Sequence, residues 1–176
     1  MTLPNLITIG RLGLVPLVIM AIASGLWQLA FVLFVLAGLS DALDGFIARR
    51  FDMRSELGGF LDPLADKALI VSIYVTLALV GVVPVWLVVL IVSRDVMIVA
   101  GVILSWLLAR PLQMAPFLVS KLNTAAQIGF AALVLGLRAA GIDGGHVVTA
   151  AELVVTILTL ASLGAYLAFG MRHLAS

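Results

Sequence analysis

Residues 40–70 read SDALDGFIARRFDMRSELGGFLDPLADKALI, and this stretch decides the fold. Eight of its residues form one pattern: Asp41, Asp44, Gly45, Ala48, Arg49, Gly58, Asp62 and Asp66. The chain has only nine acids in 176 residues, and four of them belong to this set. They sit on segments apolar enough to be membrane helices. A carboxylate at membrane depth is costly and implies a partner such as a metal ion or a basic group. Asp41 and Asp44 are spaced i,i+3, and Asp62 and Asp66 i,i+4, so each pair lies on one face of its helix. Two such faces turned together make a cluster of hard oxygen ligands. That cluster suits Mg²⁺, Mn²⁺ or Ca²⁺ and not zinc.

The composition around the stretch is that of a membrane protein. The chain is 64% hydrophobic with a mean hydropathy of +1.28, against about 45–50% apolar residues in a soluble domain. Residues 1–176 read as a single domain with no room for a soluble module. The net charge of +1, without a basic run, gives no sign of a nucleic-acid partner. The lack of cysteine excludes thiol chemistry, disulfides and cysteine-ligated zinc. The N-terminus has no basic stretch or small-residue cleavage site, so no removable signal peptide is expected.

A spanning helix needs roughly 20 mainly apolar residues. On that measure the chain is an all-α integral membrane protein with six transmembrane helices, near 7–22, 27–47, 59–80, 85–108, 117–137 and 147–169. A break at Gly81–Pro84 separates the third from the fourth. Arg11, Arg49, Arg50, Arg54, Lys67, Arg110, Lys121 and Arg172 fall near one side of such a bundle, and the opposite loops carry only Arg138. The positive-inside rule then puts both termini and the acids on the cytoplasmic side.

The residues between the acids point to phosphate. Gly45 and Gly58 let a bulky ligand approach the backbone, and Ala48, one turn beyond Asp44, keeps that face open. Arg49 offers a planar fork suited to phosphate oxygens. Pro63 is expected in the first turn or at a kink of its helix. A single aspartate would read as a cap, and a single glycine as a packing residue. Together the eight residues describe a site for a metal-bound pyrophosphate.

The pattern D-x2-D-G-x2-A-R-x8-G-x3-D-x3-D is identical to the signature of the CDP-alcohol phosphatidyltransferases, which the chain resembles over most of its length. The resemblance implies a six-helix membrane enzyme, commonly a homodimer, with a cytoplasm-facing cavity. It implies that Asp41, Asp44, Asp62 and Asp66 hold two divalent cations, Mg²⁺ or Mn²⁺, and that Asp66 is also the general base. Gly45, Ala48, Arg49 and Gly58 would surround the CDP-lipid. Asn5 and Thr8 would line the nucleotide pocket, and Ser55 would contact the nucleotide or serve as a helix N-cap. Arg11 reads as an interface anchor.

The signature fixes the reaction and leaves the acceptor alcohol open. PNLITIGRLGLVPLV (residues 4–18) resembles the branch that contains phosphatidylglycerophosphate synthases and the mitochondrial-like, phosphatidyltransferase-type cardiolipin synthases. VPVWLVVLIVSRDVMIVAG (83–101) and VSKLNTAAQ (119–127) are more similar to the second group. The partners implied are CDP-diacylglycerol, phosphatidylglycerol and membrane lipids. The location implied is a bacterial cytoplasmic membrane or the mitochondrial inner membrane, with the site on the cytoplasmic or matrix side. The first group tends to carry a second lysine at the position of Asn123. Arg94 and Lys121 are candidates for the acceptor's phosphate. The alternatives are an ion pair of Arg94 with Asp95 and surface anchoring by Lys121. Residues 109–116, with two prolines, would shape a lateral opening for a lipid acceptor. Two other readings compete: a synthase using glycerol 3-phosphate, and an ion or proton transporter using the intramembrane acids.

Overall fold

A computed structural model describes the backbone of residues 3–50, 56–107 and 118–174, and the side chains of 10–43, 66–101 and 118–168. The described residues form six α-helices: α1 (Leu3–Ala23), α2 (Trp27–Arg50), α3 (Glu56–Leu79), α4 (Val85–Leu107), α5 (Leu118–Ala139) and α6 (Gly145–Leu174). The all-helical expectation holds. Two helical stretches, Leu118–Ala139 and Gly145–Ala168, are long and apolar enough to cross a membrane. Gly10–Ala23 and Trp27–Leu43 are shorter apolar stretches among the described side chains.

One boundary differs in a way that matters. α3 begins at Glu56 and not near residue 59, so Pro63 lies inside the helix, past its first turn. The residues preceding the proline are helical nonetheless.

The chain divides into two compact units. The first comprises residues 1–83 and 131–144, and the second residues 84–130 and 145–176. α5 contributes its first part to the second unit and its last turns to the first.

In the first unit, α1 packs on α2 and on α3. Each helix presents a buried stripe at the spacing that one helix face requires. On α1 the stripe is Arg11, Val15, Val18 and Ile22. On α2 it is Ala30, Phe34 and Ala37, with Asp41 next in register. On α3, Leu69, Ile73 and Leu77 continue the line that begins at Asp66. Three apolar seams therefore end in three charged residues. The last turns of α5 add Ala131, Val134 and Leu135. There a Cβ on Gly136 would meet the Phe31 ring at 3.3 Å, so α5 approaches α2 closely.

The connections at the other end of this unit are short because the helices stop cleanly. At the end of α1, Gly25 N–H donates to Ile22 C=O (3.0 Å) and Leu26 N–H to Ala21 C=O (2.9 Å), with Gly25 at φ 70. This is the Schellman pairing, which satisfies carbonyls that the helix leaves open. The same pairing recurs after α3 at Gly81 and after α5 at Gly141.

In the second unit α4 packs on α6. Its stripes begin apolar and turn polar. α4 buries Leu87, Ile91 and Arg94, α6 buries Val155, Thr159 and Ser162, and α5 buries Phe130, Gln127 and Asn123.

Gly141→Ala places a side chain in the left-handed region at φ 68 and should cost about 1–2 kcal/mol. Gly129→Ala, mid-helix with no atom within 4 Å of the added carbon, should be neutral or stabilising by up to about 1 kcal/mol. Thermal unfolding of the two variants in one detergent checks the contrast.

Candidate functional site

The charged ends of the first unit's seams meet. Arg11 is 1% exposed, although it lies only two turns into α1. Its Nη1 donates to Asp41 Oδ1 on α2 at 2.8 Å and to Asp66 Oδ1 on α3. One nitrogen thus joins three helices. The Asp41 and Asp66 side chains remain 47% and 48% exposed, so each carboxylate has one side buried on Arg11 and another open. The sequence reading of Arg11 as an interface anchor is corrected here. A guanidinium without water contact needs an anion, and Arg11 has two. The Thr8–Arg11 spacing hinted at a shared face, but only the packing of α2 and α3 supplies the partners.

The pair also tests whether the acids suit a divalent cation. Oδ1 of Asp41 and Oδ1 of Asp66 both lie within bonding reach of a single cationic nitrogen. Two carboxylate oxygens from different helices therefore converge on one point. All-oxygen donors of this kind fit Mg²⁺ or Mn²⁺. Among the described side chains these two acids are not joined by a third, and no group of three ligating residues forms. Asp44 follows Asp41 by one turn of α2, and Asp62 precedes Asp66 by one turn of α3. The side chains of Asp44, Gly45, Ala48, Arg49, Gly58 and Asp62 lie outside the described residues, as do those of Asn5 and Thr8. Ser55 and residues 109–116 lie outside them altogether.

The second unit holds a separate polar cluster around Arg94, which is 4% exposed. Nη1 of Arg94 donates to Asp95 Oδ1 at 2.7 Å. Nε and Nη2 both donate to Ser162 Oγ on α6, at 3.1 and 2.7 Å, and Nη2 also reaches Ser120 Oγ on α5. The guanidinium lies 5.7 Å from the centre of the Tyr166 ring, within cation–π range. Arg94 thus makes the ion pair with Asp95 and ties α4 to α5 and α6. Ser120, Ser162 and Tyr166 were not singled out from sequence. Their signal was faint: hydroxyl residues at helical spacing, Thr159, Ser162 and Tyr166, on an otherwise apolar α6.

One turn further along α5, Asn123 is fully buried and accepts a hydrogen bond from Thr159 Oγ1 at 2.8 Å. Among the described residues its Nδ2 has no hydrogen-bond partner. Asn123 is therefore an interior residue of its unit, and its geometry gives no support to reading it as a position that sets acceptor charge. Lys121 is exposed, and Thr124 Oγ1 bonds back to Ser120 C=O at 3.1 Å.

Residues 1–163 match the CDP-alcohol phosphatidyltransferase family, and the chain belongs to it. A human protein named cardiolipin synthase (CMP-forming) is 40% identical, over 72% of this chain and 48% of its own length. A putative cardiolipin synthase of Mycobacterium tuberculosis is 36% identical, over 74% of this chain and 61% of its own. A chloroplastic CDP-diacylglycerol–glycerol-3-phosphate 3-phosphatidyltransferase of Oryza sativa subsp. japonica is 39% identical, over 58% of this chain and 31% of its own. The chain spans about half the length of the curated animal relatives it matches.

Ser162→Ala removes the shared acceptor of two buried Arg94 donors and should cost about 1–3 kcal/mol of stability. Denaturant titration of the detergent-solubilised variant measures the loss.

Proposed function

We propose that this chain is a six-span membrane enzyme that transfers the phosphatidyl group of CDP-diacylglycerol to phosphatidylglycerol, giving cardiolipin and CMP. The observation that carries the reading is the convergence of Asp41 and Asp66 on one cationic point at the end of three packed helices, inside a family match over residues 1–163. The relatives named cardiolipin synthase support this acceptor.

Asp41, Asp44, Asp62 and Asp66 would hold two divalent cations, Mg²⁺ or Mn²⁺. When bound, such ions neutralise the diphosphate and stabilise the leaving nucleotide. The rest is the work of the chain's own groups. Asp66 takes the proton of the acceptor hydroxyl, whose oxygen is a poor nucleophile until the proton is drawn off. That oxygen forms a new bond to the lipid-side phosphorus as the bond to CMP breaks. Arg49 holds the diphosphate with its planar fork. Gly45, Ala48 and Gly58 leave room for the ligand, and Asn5, Thr8 and Ser55 contact the nucleotide. Lys121, exposed at the start of α5, attracts the acceptor's phosphate, and Arg94 on α4 is the second candidate.

Apolar side chains on the outer faces of the helices support a lipid surround. Leu17 and Met20 on α1, Leu36 and Leu43 on α2, and Ile157 on α6 are all exposed, as they would not be on a soluble protein of this size. The protein would lie in a bacterial cytoplasmic or mitochondrial inner membrane, as a homodimer, with the acids on the cytoplasmic or matrix side. Glycerol 3-phosphate as acceptor is the second reading, favoured by the rice relative.

Asp66→Asn should abolish turnover, by roughly a hundredfold or more for loss of a general base, with a smaller loss of CDP-lipid binding. Release of CMP alongside a binding assay separates the two effects, and equal losses would make Asp66 a ligand only. With both acceptors present, thin-layer analysis should show cardiolipin and no phosphatidylglycerophosphate. The reverse product pattern would reassign the acceptor and leave the reaction type standing.

A further inference from the structure

We propose that the far end of the first unit holds a binding site for an anionic phospholipid, whose phosphodiester is gripped by Arg138 beside Trp27. The site presupposes the membrane setting proposed above and involves none of the acids.

Arg138 stands in the last turn of α5, and Trp27 opens α2. The guanidinium lies 5.8 Å from the centre of the Trp27 ring, within cation–π range. Both residues line a cavity of about 540 Å³ between the α1–α2 turn and the end of α5, together with Leu26, Gln28, Leu29 and Gly141. All of them belong to the first unit. The cavity is roughly 21 Å from Asp41 along α2, most of the thickness of a hydrocarbon core. A lipid there lies in the leaflet opposite the acids.

A basic residue in a last turn commonly bonds the open carbonyls of its helix. Here the backbone already fills that role. Gly141 N–H donates to Arg138 C=O at 3.1 Å, and Ile142 N–H to Leu137 C=O at 2.9 Å. The Trp27 ring orients the guanidinium without taking up its N–H donors, and Arg138 is exposed. Its planar fork suits two phosphate oxygens. Charge then selects the headgroup. The lining carries no acid, so the ammonium of a zwitterionic lipid would meet Arg138 without a carboxylate to offset the repulsion. A monoanionic phosphodiester with an uncharged head avoids that conflict, and Gln28 offers it a neutral amide donor. Leu26 and Leu29 are 55% and 48% exposed. They give acyl chains an apolar surface that a water-soluble phosphate would not use. The bound lipid clamps the α1–α2 turn to the end of α5.

The test uses the full chain in detergent and phosphatidylmethanol, a monoanionic phosphodiester lipid whose head has no hydroxyl and so cannot act as acceptor. Native mass spectrometry over a lipid titration gives the apparent affinity. Wild type should bind phosphatidylmethanol at least roughly fivefold more tightly than phosphatidylcholine, and Arg138→Gln should lose that preference. Trp27→Leu should weaken it, because the guanidinium loses its platform. Arg138→Lys keeps the charge without the fork and should stay below wild type. In lipid-free detergent Arg138→Gln should melt with wild type, and added phosphatidylmethanol should raise the melting point of wild type alone. Equal binding of the two lipids by wild type, an unchanged preference in Arg138→Gln, or displacement of the lipid by inorganic phosphate at like concentration overturns the proposal. Wild type that stays monodisperse without detergent overturns the membrane setting and the site with it.

Discussion

A fully desolvated guanidinium governs the first unit. Burial of Arg11 is tolerable only because two carboxylates reach it. That requirement fixes the rotation of α1 about its axis. It also fixes the heights of α2 and α3, since Asp41 and Asp66 must arrive at the same nitrogen. The apolar stripes below the charges then pack in register, Val15 and Val18 against the buried faces of α2 and α3. An apolar seam alone tolerates sliding by a turn. A seam that ends in a shared ion pair does not.

The second unit solves a similar problem differently. Arg94 has one carboxylate partner and meets its remaining needs with hydroxyls, Ser162 and Ser120, and with the face of Tyr166. Neutral partners on two neighbouring helices make this cluster a tie between helices. Arg11 meets two acids, Asp41 and Asp66, whose side chains stay about half exposed. The contrast separates a charge that is satisfied by the fold from a charge whose partners remain available to a ligand.

Family membership and the named relatives bear on chemistry and acceptor in different degrees. The reaction class follows from a signature whose eight residues all lie on α2 and α3 or just between them. The proposed acceptor rests on the likeness to proteins named cardiolipin synthase, which spans most of the chain. Asn123 is buried against Thr159.

The sequence by itself determined the helix count, the break at Gly81–Pro84, the face on which each acidic pair lies, and the family. These are local properties. Helix periodicity, the left-handed preference of glycine and the spacing of a motif need no knowledge of neighbours. Only the tertiary structure decided what Arg11 and Arg94 touch. Both are arginines in apolar helices; the residues alone offered interface anchoring for Arg11, and for Arg94 either the acceptor's phosphate or an ion pair with Asp95, and they named no acid or hydroxyl on another helix as a partner of either. Asp41 and Asp66 are 30 and 55 residues from Arg11, and Ser162 is 68 from Arg94. Such contacts are set by the rotation and register of whole helices. That choice is made by packing all the seams at once, which no single stretch of chain encodes.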